Sequence, residues 1–454
     1  MKALLIEGFF LRIFMSITLN EGQQKAADGF FKFLFTNEKE LCISGAGGTG
    51  KSFLMSYLID KVSPQYEEMC QIMGSKPQYT SVHMTATTNK AAEVLAAYTQ
   101  RPVDTIHSFL GLVVYDDFET GESILKKTNK WSIHRKEIIF IDEASMIDAE
   151  LLDIIRGSTH QCKIVYVGDH CQLPPVKESE CIIYTQQIPF YELTQPMRNA
   201  EVPALQKVCD LLRDSVKTGS LPKIPLVPGA IELLSDQEME SKINSMFKVS
   251  LENQRILAYT NKRVVDYNSY IRDFRGIKEP YQVGDILINS TMYKITTKNG
   301  YQNKQVNVET VVKIKELSEP TTITVNKKDG STLDVQLATI VCNDGNKWEK
   351  VKLPLNKIHY RKLTNFYKNQ KDWVNYFYLK NNFMDLRYSD ASTIHKAQGS
   401  SFDTVFIDLS DLSTCTRSDM VLRLLYVGFT RARKKVFLYG NLKKAYGEIL
   451  CSPK

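Results

Sequence analysis

The stretch ELCISGAGGTGKSFLMSYLI, residues 40–59, decides the fold. It opens as an apolar, strand-like run, closes as a helix, and between them GAGGTGKS at 45–52 satisfies G-x-x-x-x-G-K-[ST]. A glycine-rich turn between strand and helix lets backbone N–H groups close around phosphate oxygens, aided by the positive end of the helix. Gly45, Ala46, Gly47, Gly48, Thr49, Gly50, Lys51, Ser52 and Phe53 are therefore the candidate phosphate loop. Lys51 is placed to bridge the β- and γ-phosphates and Ser52 to hold Mg²⁺, so ATP and Mg²⁺ are the expected cofactors.

Outward from this loop the pattern repeats. SVHMTA at 81–86 leads into an alanine-rich helix around 90–98, and KEIIFIDEAS and KIVYVGD are two further buried-looking strands that end in carboxylates. Strand, turn and helix in alternation describe a parallel sheet covered on both faces. A magnesium-nucleotide site needs a carboxylate at the end of a neighbouring strand, and IIFIDE supplies Asp142 for the metal and Glu143 to orient and deprotonate water. Gln172, after the next strand, can donate to a γ-phosphate and accept from water at once. Arg198 in LTQPMR and Arg431 in VGFTRARKK are candidates for the charge that builds on a transferring phosphoryl group.

Other textures interrupt the alternation. Residues 112–135 read as a β-hairpin inserted into the first α/β unit. A proline-rich stretch, LPKIPLVPGAIEL, spans 221–233, and from 276 to 390 the chain is β-rich. The α/β texture returns at 391, so a second α/β unit is split around the insert. The expected division is an extension over 1–15, a first domain over 16–200, a second over 201–275 with 391–454, and a β-rich accessory domain over 276–390.

Composition sets the outer limits. With 58 Lys and Arg against 51 Asp and Glu the net charge is +7, which allows a nucleic-acid partner without demanding one. Nine cysteines, none in a Cys-x-x-Cys pair, fit buried free thiols in a reducing, cytoplasmic compartment better than disulfides or zinc. Glu7 and Arg12 break the apolar N-terminal run, which argues against a signal peptide, and Met15 reads as a natural second start. No run reaches the roughly 18 apolar residues of a membrane span.

Taken in order, LNEGQ (19–23), GAGGTGKS, TATTNKAAEVL, TIHSFLG, IDEAS, VGDHCQLPPV, LTQPMR, AYTNKRV, STIHKAQGSSFDTVFID and LLYVGFTRARKKVFL resemble the motifs of superfamily 1 helicases, particularly the RecD-like branch. The resemblance covers about two thirds of the chain, and the order of the segments is more specific than any one of them. It implies two RecA-like domains that share ATP, an SH3-like accessory domain for the insert, and 5′→3′ movement on single-stranded DNA. It also implies that Gln23 reads adenine, that Gln398 and Gly399 approach the γ-phosphate, and that the hairpin separates the strands of a forked duplex. Thr87, Asn89, Lys90, Thr105, His107, Thr393, His395 and Lys396 carry donors suited to DNA phosphates, with no sequence readout. A monomer is expected, with a single-strand-binding or replisome protein as a further partner. The competing reading is an ATP-switched single-stranded-DNA-binding accessory protein that does not unwind. Glu143, Gln172, Arg198 and Arg431 argue against it, because a switch needs binding and not fast hydrolysis.

Overall fold

The computed structural model describes residues 19–79, 81–116, 119–120, 123–175, 178, 180–195, 202–249, 253–295, 304–308, 310–343 and 345–446. The expected extension over 1–15 and Arg198 lie outside the described residues. The chain divides into two compact units, one from Met1–Val113 with Lys127–Ala200 and the other from Val114–Lys126 with Glu201–Lys454.

The first unit is built on strands β1 (Glu40–Gly45), β2 (Ser81–Ala86), β3 (Asp104–Thr105), β4 (Glu137–Asp142), β5 (Lys163–Gly168) and β6 (Phe190–Leu193), in sheet order β6-β1-β5-β4-β2-β3. Every pairing is parallel, so each connection crosses over and both faces are covered. That explains the uninterrupted apolar strands. Ile138 and Phe140 of β4 enter one core with Phe30, Leu54 and Val165, while Ile139 and Ile141 enter the other with Ile164 and Tyr166.

Helix α1 (Glu21–Phe33) begins at a capping box in which Asn20 and Gln23 satisfy each other's backbone N–H groups. Helix α2 (Lys51–Tyr57) starts at the phosphate loop. Beyond it the chain runs through a wider turn over Leu58–Val62 into a further helix, Ser63–Ile72. Pro64 permits this because it falls in the first turn, where its missing N–H would have no intrahelical partner.

The hairpin pairs Leu112–Asp116 with Ser123–Lys127. Its base is fastened by Thr128, whose N–H and hydroxyl donate to the Gly111 carbonyl at 2.9 and 2.8 Å. Gly111 has φ +64°, and a Cβ there would sit 2.7 Å from the Trp131 nitrogen, so both conformation and space demand glycine. At the tip the Glu119 carbonyl accepts from Trp373 Nε1 at 3.0 Å. Residues 114–126 group by their packing with the second unit, although the chain inserts them into the first.

The second unit holds a five-stranded parallel sheet of β7 (Ile231–Leu234), β8 (Gln254–Ala258), β9 (Ala391–Thr393), β10 (Phe402–Asp408) and β11 (Ala432–Tyr439), in order β7-β11-β10-β8-β9. The insert forms an antiparallel sheet whose longest strand, Ser331–Cys342, pairs with three others. Its sequence shows no alternation of helix and strand, yet two consecutive helices close it, α3 (Lys357–Asn369) and α4 (Trp373–Asn382). Tyr360, Leu363 and Tyr367 bury one face of α3 against Leu333 and Val335. Where the insert leaves and rejoins the parallel unit, Arg275 grips Asp390 through two bonds of 2.8 and 2.7 Å.

Candidate functional site

The phosphate loop follows β1 and curls over the start of α2. Gly48 and Gly50 have φ +86° and +83°, a region that side chains avoid. Thr49 is buried, and its hydroxyl donates to the Ala46 carbonyl at 2.8 Å. Lys51 folds back to donate to the carbonyls of Gly45 and Ala46 at 2.8 and 3.0 Å. Ser52 and Phe53 follow in the first turn of α2, both half-buried. Gln23 is buried, donating to the Thr49 carbonyl at 3.3 Å and accepting from the Asn20 N–H at 3.2 Å, so its amide ties α1 to the loop.

Asp142 ends β4. Burial raises its carboxyl above the usual carboxylate range, opposed by the nearby Lys51 ammonium and by the Glu143 N–H, which donates at 2.9 Å. Glu143 has φ +54°, a left-handed conformation costly for a residue other than glycine. Thr87, one residue past β2, holds it there: its N–H donates to the Asp142 carbonyl at 3.2 Å and its hydroxyl to the Glu143 carbonyl at 3.1 Å. Sequence reasoning puts that hydroxyl on DNA, and nothing in the sequence signals its bond to Glu143.

Gln172 is buried after β5, its N–H donating to the Asp169 carbonyl at 3.0 Å. The side-chain ligand atoms of Asp169, His170 and Cys171 lie within 4.8 Å of one another. The Asp169 carboxylate accepts from the Cys171 N–H at 3.1 Å, and His170 Nδ1 lies 2.8 Å from the Ser44 hydroxyl.

The two TIH segments take the same shape. β3 pairs with the end of β2, Ala86 opposite Thr105; β9 pairs with the end of β8, Ala258 opposite Thr393. In each, the threonine hydroxyl accepts from the backbone N–H three residues on, Ser108 at 3.1 Å and Lys396 at 3.3 Å. In each, the isoleucine is fully buried, burial lowers the histidine pKa, and the glycine four residues past the histidine has positive φ. The C-terminal edge of a parallel sheet is where α/β folds bind ligands. Asn89 and Lys90 stand exposed at the start of the helix that follows β2. Within the second unit Arg431 is buried and donates to the carbonyls of Val427 and Ser400 at 3.1 and 3.0 Å, close beyond Gln398 and Gly399 in the chain.

A phosphate loop beside a carboxylate pair, on the first of two parallel-sheet units, defines the class: a P-loop ATPase with two RecA-like domains. Residues 18–224 match the family model of an AAA domain, and residues 388–439 that of the UvrD-like helicase C-terminal domain. The chain is 26% identical over 462 residues to the ATP-dependent DNA helicase dda of Enterobacteria phage T4, covering 92% of this chain and 98% of that one. It is 24% identical over 469 residues to the RecBCD enzyme subunit RecD of Buchnera aphidicola, covering 88% and 70%. A solved structure of two coordinating Pif1 helicases on forked duplex DNA shares the fold, with a TM-score of 0.50 at 18% identity over 96% of this chain and 95% of that one. Along most of its length the chain is similar to superfamily 1B helicases, RecD subunits among them.

Proposed function

We propose that this chain is an ATP-dependent DNA helicase that moves 5′→3′ along single-stranded DNA and separates the strands of a forked duplex, in replication, recombination or repair. The observation that carries the reading is the duplicated edge: the same Thr-Ile-His turn at the C-terminal end of each parallel sheet, beside a complete phosphate loop in the first. A motor that steps on a strand needs two such edges, whereas a small-molecule kinase needs one.

In this reading Lys51 and the loop N–H groups hold the β- and γ-phosphates, Gln23 meets adenine, and Gln172, Arg198, Arg431, Gln398 and Gly399 respond to the γ-phosphate. Ser52 and Asp142 offer the hydroxyl and carboxylate oxygens that suit Mg²⁺, and the buried Asp142 charge gains from a cation. When bound, the metal neutralises phosphate charge. Glu143 orients the attacking water and takes its proton. Thr105, His107, Thr393, His395, Lys396, Asn89 and Lys90 line the path of the strand, and the hairpin separates it from its complement. Eight described cysteines are free thiols, which supports a reducing, intracellular setting. We assign the working form as a monomer, with a single-strand-binding or replisome protein as its partner.

ATP hydrolysis with and without single-stranded DNA tests the reading. Lys51→Ala should lower DNA-stimulated turnover by at least about a hundredfold; normal turnover in that variant would sink the site. Forks with a 5′ or a 3′ tail decide the polarity, and preference for the 3′ tail overturns it.

A further inference from the structure

Helix α3 has two faces. Tyr360, Leu363 and Tyr367 are buried at i, i+3 and i+7. The opposite face exposes Ile358, His359, Arg361, Lys362, Phe366 and Lys368, and Lys371 follows in the turn to α4. Residues 357–371 include no carboxylate. Among the described residues Arg361, Lys362 and Lys368 form no ion pair. The carboxylates at the helix ends are engaged elsewhere: Asp329 accepts from the Tyr367 hydroxyl at 2.9 Å, and Asp372 caps α4 by accepting from the Asn375 N–H at 3.1 Å. Two of the exposed side chains are large and apolar, Ile358 at 71% and Phe366 at 46% exposure.

One hydrogen bond ties the end of this face to the hairpin. Trp373, the first residue of α4 and only five beyond Lys368, donates to the Glu119 carbonyl at the hairpin tip at 3.0 Å. The basic face therefore begins beside the tip and runs back along a helix of 13 residues, roughly 20 Å at 1.5 Å per residue. Duplex DNA carries one negative charge per about 1.7 Å of axis, so a cationic face of this length spans several phosphates.

We propose that the exposed face of α3 binds the phosphate backbone of the duplex arm ahead of the hairpin, holding the fork against the tip while the strands are parted. The inference rests on the reading of the hairpin as the strand-separating element. The charge of the face favours nucleic acid over a protein partner. A helix whose other side is packed into the insert presents its cations without rearrangement, so the contact reads backbone and not sequence.

The test is the triple variant Arg361→Gln, Lys362→Gln, Lys368→Gln in the full chain, with affinity read by fluorescence anisotropy on a single strand, a blunt duplex and a fork across a salt series. Fork and duplex affinity should fall about tenfold or more, with a salt slope shallower by roughly 2 to 3, since each phosphate contact contributes about 0.9. Single-strand affinity and single-strand-stimulated ATP hydrolysis should match wild type, which also shows that the variant is folded. Unchanged fork and duplex affinity overturns the proposal and leaves the face to a protein. Equal loss on single strands overturns it too, assigning the face to the translocating strand. Absence of DNA-stimulated hydrolysis in the wild type would strike the helicase reading instead, while duplex binding by α3 remains readable on its own.

Discussion

Thr87 shows how a single hydroxyl joins two parts of the site. It stands one residue past β2, just before the exposed Asn89 and Lys90, and it donates to the carbonyl of Glu143, whose left-handed backbone costs about 1 to 3 kcal/mol unless its surroundings impose it. On the proposed reading, in which Glu143 is the general base, the bond makes Thr87 its positioning residue, and a strand pressing on the edge of β2 would be felt there. Thr87→Val removes the hydroxyl and keeps the shape. Turnover at saturating single-stranded DNA should fall about tenfold, the equivalent of one buried hydrogen bond, while DNA affinity stays within about twofold. If affinity falls and saturated turnover is normal, the hydroxyl serves the strand and not the base.

At the scale of elements, the attachment of α1 depends on a buried lysine. Lys163 is 2% exposed on β5 and donates to the carbonyls of Phe33, Thr36 and Glu38, with bonds of 2.6 Å to Phe33 and 3.0 Å to Thr36, which closes the C-terminal end of the helix that carries Gln23. Lys163→Met fills the same space and leaves three carbonyls without this donor. It should cost about 2 to 4 kcal/mol in urea denaturation; a loss under about 0.5 kcal/mol would mean that water replaces the ammonium freely. Burial pushes the Lys163 ammonium down to about 8 from 10.5. Between those values the unfolded chain binds more protons, so the contribution of Lys163 to stability rises with pH across that window and is lost as pH falls through about 8. The wild type should show this rise, and the methionine variant should lack it.

For the whole molecule, the proposed role of the hairpin predicts that its loss separates movement from unwinding. Deleting 116–126 removes the tip and its contact with Trp373 while leaving the phosphate loop and both parallel sheets intact. Single-strand-stimulated hydrolysis should remain near wild type and strand separation should drop at least about tenfold. Trp373→Phe, which removes only the indole donor to Glu119, should produce a smaller loss in the same direction. Unwinding untouched by the deletion would show that the hairpin is not the separating element.

The sequence by itself determined the phosphate loop, the strand-end pair Asp142 and Glu143 and the parallel α/β character of both units, because each is a local matter. The glycine turn directly follows one apolar run and the carboxylates directly follow another, and parallel strands buried on both faces print as unbroken apolar segments. Thr-Ile-His with a glycine four residues after the histidine stands at both Thr105–Gly111 and Thr393–Gly399 in the sequence. That both stretches form the same hydroxyl-capped turn at the same edge of two sheets follows only from the pairing of β3 with β2 and of β9 with β8. The bond from Thr87 to Glu143, the three carbonyls gathered by Lys163 and the reach of Trp373 to Glu119 join residues 56, 125 to 130 and 254 positions apart. No periodicity or spacing encodes such contacts, since they depend on how parallel crossovers and a long insert bring distant backbone together, and that is decided by packing alone.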